Sequence, residues 1–401
     1  MIAAAAIAAL ALQAGAAPLP PVVTRTRGQP YAALATSDGA RLLVTETMPR
    51  SALRPDEAAS APPEAARVGA IEVFRIDPGG ALVSERVTPL GATVAQGIAA
   101  VPGTPALAVG MSGGGLRIAN VQSVIDGRAS GSAVPLGADA GSGAVAVTAD
   151  GRTAFVADEY GGQGNVAPVR FTIEGGRVTG AEVHARLPTP IATPGLTLSP
   201  DGSRLYVAAE IAPDAEARAP GWRDGRLGRS RCVQQAGGPA RLNGLVYVVD
   251  AGKLASAQDG AEARASVIAR IAAGCSPVRI AVSRDGRQVY VTARGDDRVL
   301  QFDARALEAD PDHALVRALP SGGAAPVGLA LFAGDAKLLV ADSDRFGVGR
   351  GALAVIDLAS GRVERKLPAL GFPRTVSPSA DGRTLYVTNF TGKAIQAVPA
   401  L

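Results

Sequence analysis

The segment that decides the fold lies near the carboxyl end of the chain and reads VSPSADGRTLYVTN over residues 376–389. In it, Asp381-Gly382 separates two short runs of strand-forming residues, the second of which is Leu385-Tyr386-Val387. An Asp-Gly pair in this setting is a strong hairpin signal, because glycine supplies the positive φ that the tight turn requires. The segment therefore predicts two antiparallel strands joined by a tight turn.

The same pattern recurs along the chain. The other copies lie at residues 34–44, 98–109, 145–156, 196–207, 280–291 and 329–340. Their last valines and Val387 lie 65, 47, 51, 84, 49 and 47 residues apart, a period of about 48 residues with two insertions. A third and commonly a fourth alternating run follow each hairpin, and four strands per repeat make one propeller blade. We predict an all-β fold, a seven-bladed β-propeller with four-stranded antiparallel blades.

The two ends of the chain are expected to complete one blade together. The last repeat runs out after its third strand, at residues 393–398. A candidate for the missing fourth strand lies before the first repeat, at residues 21–26. Pairing these segments would close the ring and cover a sheet edge that is otherwise exposed.

The motif Leu385-Tyr386-Val387-Thr388-Asn389 resembles the repeat of the YVTN-type β-propeller family, which is similar to the lactonase-like seven-bladed propellers. The resemblance covers essentially the whole mature chain. Members of that group include exported proteins of unknown role, surface-associated proteins, a periplasmic nucleic-acid binder and sugar-lactone hydrolases, so the resemblance implies the fold and no single activity. At the last motif position the other repeats carry Glu46, Met111, Asp158, Ala209, Ala293 and Asp342.

Composition and the first residues indicate an exported globular protein. The chain has 401 residues, of which 47% are hydrophobic and 4% aromatic, with a net charge of +4, and this excludes a disordered chain. Residues 1–16 are uncharged and end in Ala14-Gly15-Ala16, which is typical of a signal-peptide cleavage site. We expect a periplasmic or secreted monomer, with one domain over residues 17–401, and no later segment is apolar for long enough to span a membrane.

The two cysteines, Cys232 and Cys275, fit an oxidising compartment. An even number of cysteines in an exported protein favours a disulfide, and two separate buried thiols are the alternative. The bridge would tie an insertion near residues 211–243 to its base. A further insertion is predicted near residues 47–68. Both are expected on the face of the ring that carries the channel mouth, opposite the Asp-Gly turns.

Two groups of candidate functional residues are expected on that face. In the second insertion, Trp222 and Arg223 lie among several arginines and could bind an anion or a nucleic-acid strand. A packed tryptophan and a solvated, mixed-charge surface are the favoured alternative. The other group comprises Glu46, Asp158, Asp342 and Asn389, whose equivalent positions could converge at the channel mouth. Its carboxylates could hold a divalent cation such as calcium, or simply pair with Arg279, Arg294 and Arg374.

The sequence leaves three functions open. The first is an exported scaffold that binds a small molecule or a protein partner at the channel mouth without chemistry. The second is a lactonase-like hydrolase, in which Glu46, Asp158 or Asp342 would act as base or metal ligand and Arg279, Arg294 or Arg374 would stabilise the oxyanion. The third is nucleic-acid binding through the basic insertion, which the small net charge and low aromatic content support only weakly. The scaffold function requires no cofactor.

Overall fold

A computed structural model describes residues 20–128, 131–137, 141–158, 164–190, 192–212, 222–223, 231–232, 241–345, 347, 349 and 351–400, with only the backbone for 222–223, 231–232 and 241–242. The signal segment predicted at residues 1–16 lies outside the described residues. Seven antiparallel sheets form a ring, as the repeat predicts. The innermost strand of each sheet contacts the innermost strand of the next, and the last contacts the first.

The first strand, β1 (Val22–Arg25), belongs to the last blade. It pairs antiparallel with the final strand of the chain, from Val22 opposite Ala397 to Arg25 opposite Ala394. Beyond the paired region, the backbone N–H of Thr26 donates to the carbonyl oxygen of Lys393 at 3.0 Å. The predicted closure of the ring by an amino-terminal strand is thus confirmed.

The first three blades follow in chain order. Blade 1 contains β2 (Gln29–Ala35), β3 (Arg41–Pro49), β4 (Arg67–Ile76) and β5 (Leu82–Gly91), with helix α1 (Pro55–Ala58) between β3 and β4. Blade 2 contains β6 (Val94–Ala100), β7 (Ala106–Ser112), β8 (Gly115–Asn120) and, after helix α2 (Val121–Ile125), β9 (Ser132–Val134). Blade 3 contains β10 (Ser142–Val147), β11 (Thr153–Asp158), β12 (Asn165–Glu174) and β13 (Arg177–Val183), and β14 (Leu187–Pro188) also pairs with β12.

Blade 4 carries the longer insertion. It contains β15 (Gly195–Leu198), β16 (Arg204–Ala209), β20 (Leu245–Asp250) and β21 (Val267–Ala272). Between β16 and β20 lie the short strands β17 (Trp222–Arg223), β18 (Arg231–Cys232) and β19 (Arg241–Leu242). Helices α3 (Ala251–Ser256) and α4 (Gly260–Ala265) connect β20 to β21.

The last three blades complete the ring. Blade 5 contains β22 (Pro277–Val282), β23 (Gln288–Ala293), β24 (Arg298–Asp303), helix α5 (Ala304–Ala309) and β25 (Leu315–Pro320). Blade 6 contains β26 (Pro326–Phe332), β27 (Lys337–Asp342), β28 (Ala352–Asp357) and β29 (Arg362–Pro368). Blade 7 contains β30 (Pro373–Pro378), β31 (Thr384–Asn389), β32 (Ala394–Pro399) and the returning β1. Among the described residues, no helix is long and apolar enough to cross a bilayer.

The hydrophobic core lies between neighbouring blades. Val44 and Phe74 of blade 1 pack with Tyr386 and Ile395 of blade 7, for example, and all four are almost completely buried. Alternation along each strand gives every blade one face for each neighbour, because successive side chains of a strand point to opposite faces. Removing one edge strand therefore exposes apolar surface on the adjoining blades as well.

The threonine of the motif explains how neighbouring inner strands are joined. The Thr388 hydroxyl donates to the carbonyl oxygen of Tyr31 in blade 1 at 2.9 Å. The hydroxyl oxygen of Thr388 also accepts the backbone N–H of Thr375 in its own blade at 3.1 Å. One side chain thus satisfies a backbone donor and a backbone acceptor across the junction where the ring closes.

Two other blades use the same contact. Thr45 donates to the carbonyl oxygen of Gln96 in blade 2, and Thr292 donates to that of Val327 in blade 6 at 3.1 Å. Blade 2 has Gly110 at this position, where an added Cβ would lie 2.2 Å from the carbonyl oxygen of Ser142. Neighbouring blades are therefore joined here by a threonine of blades 1, 5 and 7 and by direct backbone approach at Gly110 of blade 2. Blades 3, 4 and 6 carry alanine at this position, namely Ala157, Ala208 and Ala341.

Candidate functional site

Acidic residues were expected to converge at the final motif position. In two blades the side chain at this position binds the backbone of the connection that enters the same blade. A Glu46 oxygen (Oε2) accepts the backbone N–H of Gly28 at 2.8 Å, just before β2. In blade 3, Asp158 Oδ1 accepts that of Gly141 at 2.7 Å, just before β10. Both bonds hold the incoming connection against the end of the second strand, which is a structural role that any short acceptor can fill.

Asn389 makes the equivalent contact in blade 7, where its Oδ1 accepts the backbone N–H of Leu370 at 3.1 Å. In blade 5 the position is occupied by Ala293, and Asp296 from the following turn replaces it, accepting the backbone N–H of Cys275 at 2.6 Å. In three blades the residue at the final motif position thus accepts a backbone N–H, and in blade 5 Asp296 takes over this role.

The three predicted metal ligands belong to three different blades: Glu46 lies within β3, whereas Asp158 and Asp342 are the last residues of β11 and β27. Across the described part of the chain, no three histidine, cysteine, aspartate or glutamate side chains are grouped so that they could hold a metal ion. Their role as metal ligands stays a prediction.

Glu46 belongs to a buried cluster that joins blade 1 to the incoming chain. Burial, followed by the nearby carboxylate of Glu72, raises the pKa of Glu46 well above its ordinary value. Arg27 lies beside this pair, with its backbone N–H donating to Glu72 at 3.0 Å. The Arg27 guanidinium also donates to Glu57 of α1 at 2.6 Å, which fixes the first insertion against the ring. The cluster thus ties together the ring closure and the first insertion.

Asp342 is completely buried at the junction of blades 5 and 6. Desolvation, opposed by a hydrogen bond from Ser321, raises its pKa to about 7. A carboxyl group that titrates near neutrality suits a general base. A general base must also reach its substrate, however, and full burial of Asp342 shields it from one.

The three predicted arginines have different environments. Arg294 is almost fully buried, and it donates to Glu210 of blade 4 at 2.8 Å and to Ser276 at 3.0 Å. This pair joins the second strands of two neighbouring blades on the channel-mouth face. Arg294 therefore serves as an interblade tie, as one of the alternatives from the sequence anticipated. Arg279 and Arg374 instead both contact Tyr31.

Arg374 lies among three aromatic rings at the junction of blades 7 and 1. Its Cζ atom is 4.0 Å from the ring centroid of Tyr31, 5.5 Å from that of Phe390 and 5.8 Å from that of Phe372. The two phenylalanine centroids are 6.2 Å apart in an edge-to-face arrangement. These distances are within the range of cation–π and aromatic contacts. We call Tyr31, Arg374, Phe372 and Phe390 the aromatic cluster.

Arg279 reaches the same cluster from the far side of the ring. Its Nη2 atom donates to the Tyr31 hydroxyl at 3.3 Å. Arg279 belongs to blade 5 and Tyr31 to blade 1, and these blades are not neighbours in the ring. The contact therefore crosses the central channel. Two guanidinium groups, from Arg279 and Arg374, lie against one tyrosine at the channel mouth.

Sequence reasoning identified the two arginines and missed Tyr31, Phe372 and Phe390. A signal was present, because aromatic residues make up only 4% of the chain. Tyr31 lies near the start of β2, Phe372 directly precedes β30, and Phe390 directly follows β31. Only knowledge that the first and last blades adjoin brings them together.

Part of the second insertion lies along the outer edge of blade 4. The backbone of Trp222 and Arg223 pairs in parallel with Arg270 and Ile271 of β21, the outermost strand of blade 4. This pair thus extends the outer edge of that blade, on the side away from the channel. The side chains of Trp222 and Arg223 lie outside the described residues, and their ligand-binding role stays a prediction. The side chain of Cys232 also lies outside them, so the predicted bridge to the fully buried Cys275 stays a prediction as well.

A large groove lies on the opposite face, beside the Asp-Gly turns of blades 4 and 5. It has a volume of about 800 Å³, and its walls include Asp201, Arg204, Arg284 and Glu308. Arg204 and Glu308 form a two-pronged ion pair across it, at 2.7 and 3.1 Å. Since the pair neutralises both charges in place, the groove offers no excess charge for a ligand at these two residues.

Comparison with known proteins supports the fold alone. No family model matches the chain, and no curated protein matches it. Among solved structures, a chain in a crystal structure of a mitotic checkpoint complex is similar, with a TM-score of 0.61 and 12% identity, over 98% of this chain and 100% of that one. At this identity the likeness shows a shared propeller architecture, and membership of the YVTN-type family stays a prediction.

Proposed function

We propose that this protein is a propeller scaffold that binds a ligand or partner at its channel mouth and performs no chemistry on it. The observation that carries the proposal is the Arg279–Tyr31 contact across the channel. It brings two cationic groups and an aromatic ring to one place on the face where the repeat is least regular. Such a combination of charge and apolar surface is typical of a recognition site.

The placement of the acidic residues favours binding over hydrolysis. A lactonase-like hydrolase needs a carboxylate that is available to a water molecule or a metal ion. Glu46 and Asp158 instead accept backbone N–H groups of their own blades, and Asp342 is fully buried. This leaves Arg279, Phe372 and Phe390 as the partly exposed groups at the mouth, beside the buried Tyr31 and Arg374.

We also propose that the protein is exported, on the evidence of the uncharged segment at residues 1–16. The propeller would then act in the periplasm or outside the cell, where Cys232 and Cys275 can form a bridge. Mass spectrometry of the protein purified from a periplasmic fraction tests both points. The expected product begins at Ala17 and is two hydrogen masses lighter than its reduced form. A product that retains residue 1 in the cytoplasmic fraction contradicts export.

The test of the binding function is a thermal-shift screen of the mature, oxidised protein. The probes are small carboxylates, inorganic phosphate, sugar lactones, calcium and short single-stranded oligonucleotides, with lactone hydrolysis followed in parallel. We expect stabilisation by at least one probe and no turnover. Hydrolysis of a lactone that is lost on neutralising Asp158 or Asp342 contradicts the proposal, and oligonucleotide binding that falls steeply with salt favours the basic insertion instead.

A further inference from the structure

The inner strands of the propeller share a position at which a side chain would meet the next blade. In each blade this position lies opposite the residue of the second strand that corresponds to Thr388 in blade 7, directly before the continuous run of paired residues. In six blades it carries a small residue, namely Ala32, Gly97, Ala144, Gly195, Gly328 and Thr375. An added Cβ at Gly195 would lie 2.2 Å from the carbonyl oxygen of Val278. Close packing of the inner strands explains the small residues.

Blade 5 is the exception, because it carries Arg279 at this position. The side chain turns into the channel, where its guanidinium donates to the carbonyl oxygen of Pro194 in blade 4 and to the hydroxyl of Tyr31 in blade 1. Arg279 and Tyr31 together thus span the channel, and the six other blades carry small residues at the position of Arg279. No packing requirement of the repeat explains a charged residue here, since the other six blades do without one.

The charge of Arg279 is not compensated by the groups that hold it. Its recorded acceptors are the carbonyl oxygens of Pro194 and Val278 and the phenol of Tyr31, all of which are neutral. In the described part of the chain, no carboxylate pairs with Arg279. A partly buried guanidinium without a counter-ion is unfavourable, because its desolvation is not repaid by an opposite charge.

Arg374 adds a second positive charge at the same place. Its Cζ atom lies 4.0 Å from the Tyr31 ring, whose hydroxyl contacts Arg279. Arg374 is only 6% exposed, so a ligand anion would contact Arg279 directly, and Arg374 would attract it through its charge alone. A planar carboxylate matches the fork of an arginine, with two parallel N–H donors to its two oxygens.

The aromatic cluster indicates what the rest of the ligand is. Phe372 and Phe390 are only partly buried, and they lie beside Arg374 with 6.2 Å between their ring centroids. They offer an apolar surface next to the charged pair. We infer that the channel mouth binds a small organic carboxylate, with its carboxylate on Arg279 and its apolar part against the aromatic cluster. This inference rests on the proposed binding function and specifies its ligand class.

Calorimetric titration of the mature protein with sodium benzoate tests the inference. Benzoate is chosen because it combines one planar carboxylate with one apolar ring. We expect saturable binding by the unaltered protein and a dissociation constant at least tenfold higher for Arg279→Gln. The matched control is Arg284→Gln, which removes an exposed arginine on the Asp-Gly face and should leave the affinity unchanged.

A second variant separates the site from a general loss of structure. Tyr31→Phe removes the hydroxyl that positions Arg279 and keeps the ring beside Arg374, so it should weaken benzoate binding severalfold without changing the melting temperature by more than a few degrees. If Arg279→Gln fails to fold, this variant decides alone, and an unchanged affinity overturns the inference.

Three further results would overturn it: no saturable benzoate binding by the unaltered protein, unchanged binding by a folded Arg279→Gln protein, or inorganic phosphate that binds as tightly as benzoate. Failure here is distinguishable from failure of the proposed function. Lactone turnover contradicts the non-catalytic scaffold even if benzoate binds through Arg279, whereas a ligand that binds independently of Arg279 leaves the scaffold intact and removes only this assignment.

Discussion

The two faces of the ring follow different rules. On one face, five Asp-Gly turns are built identically around Asp38, Asp150, Asp201, Asp285 and Asp381. Each aspartate accepts the hydroxyl of a serine or threonine two residues earlier and the backbone N–H two residues later, and the hydroxyl bond is the largest cause of its lowered pKa. On the channel-mouth face, only three blades share one contact, through Glu46, Asp158 and Asn389, and the other blades carry different residues at the equivalent position.

The difference between the two faces indicates where a repeat protein can acquire a function. The turns are local structures of a few residues, so each copy preserves the same chemistry without reference to its neighbours. The channel mouth depends on which blades adjoin or face each other, as with Tyr31 and Arg279. Regularity thus marks the groups that maintain the fold, and departure from the repeat marks the candidate site.

The largest expected effect comes from breaking the ring at its closure. Deleting residues 17–26 removes β1 and exposes the edge of β32 and the apolar faces beside it, so we expect the melting temperature to fall by at least about ten degrees. Thermal unfolding followed by circular dichroism measures this. Deletion of residues 17–20, which leaves β1 intact, is the control. An unchanged melting temperature for the longer deletion would contradict closure by this strand.

A smaller effect is expected from the hydroxyl that joins blades 7 and 1. Thr388→Val keeps the shape of the side chain but leaves the backbone N–H of Thr375 without its acceptor. The variant also removes one of the two hydroxyl donors to the Tyr31 carbonyl oxygen, since that of Thr375 remains, and we expect a loss of about 1–3 kcal/mol. Urea unfolding measures the free energy of unfolding. The control is Thr384→Val in the same strand, whose hydroxyl makes no hydrogen bond within the described residues. Equal losses in the two variants would show that the junction is not held by this hydroxyl.

The buried Glu46 predicts a pH dependence that the turns do not share. Its pKa is raised in the folded state, so its contribution to stability is present at low pH and is lost as the pH rises through that raised value. Glu46→Gln should therefore flatten the stability profile above the ordinary carboxyl range and stabilise the protein by a few degrees at alkaline pH. Melting temperatures between pH 4 and 9 measure it. The exposed Glu64→Gln should not flatten the profile, and an equal response of both variants would refute the assignment.

The smallest effect is expected at a single turn, because these aspartates are exposed and their bonds are screened by water. Asp150 accepts from Thr148 at 2.5 Å and from the backbone N–H of Arg152 at 2.9 Å. Asp150→Asn should lower the melting temperature by about one to two degrees at neutral pH. Since the folded-state pKa of Asp150 is lowered, the difference should shrink as the pH falls through it. A loss that persists unchanged at the lowest pH would mean that the charge is not involved.

The sequence predicts the ring because the repeat is local. The Asp-Gly turn, the strands beside it and the missing fourth strand are all readable from short segments, and the pairing of Val22 with Ala397 follows from them. The destinations of side chains at strand ends are not local. Glu46 accepts the backbone N–H of Gly28, and this contact depends on the chain that returns from blade 7 and passes beside β3.

The candidate site was predictable only in part for the same reason. The arginines could be identified as charged residues at equivalent positions, but the partner of Arg279 lies in a blade that is distant both in sequence and around the ring. Within the insertion that carries Trp222, residues 222–223 pair along the outer edge of blade 4, a pairing that the repeat does not predict. Insertions escape the repeat, so the periodicity that positions the blades gives no information about their course.

A crystal structure of the mature protein grown with benzoate tests the central claim most directly, since it locates the ligand on one face or the other. The account predicts electron density for the carboxylate against Arg279, with the benzoate ring beside Phe372 and Phe390, and no such density for Arg279→Gln. Density in the groove between blades 4 and 5 on the Asp-Gly face, with an empty channel mouth, would contradict it.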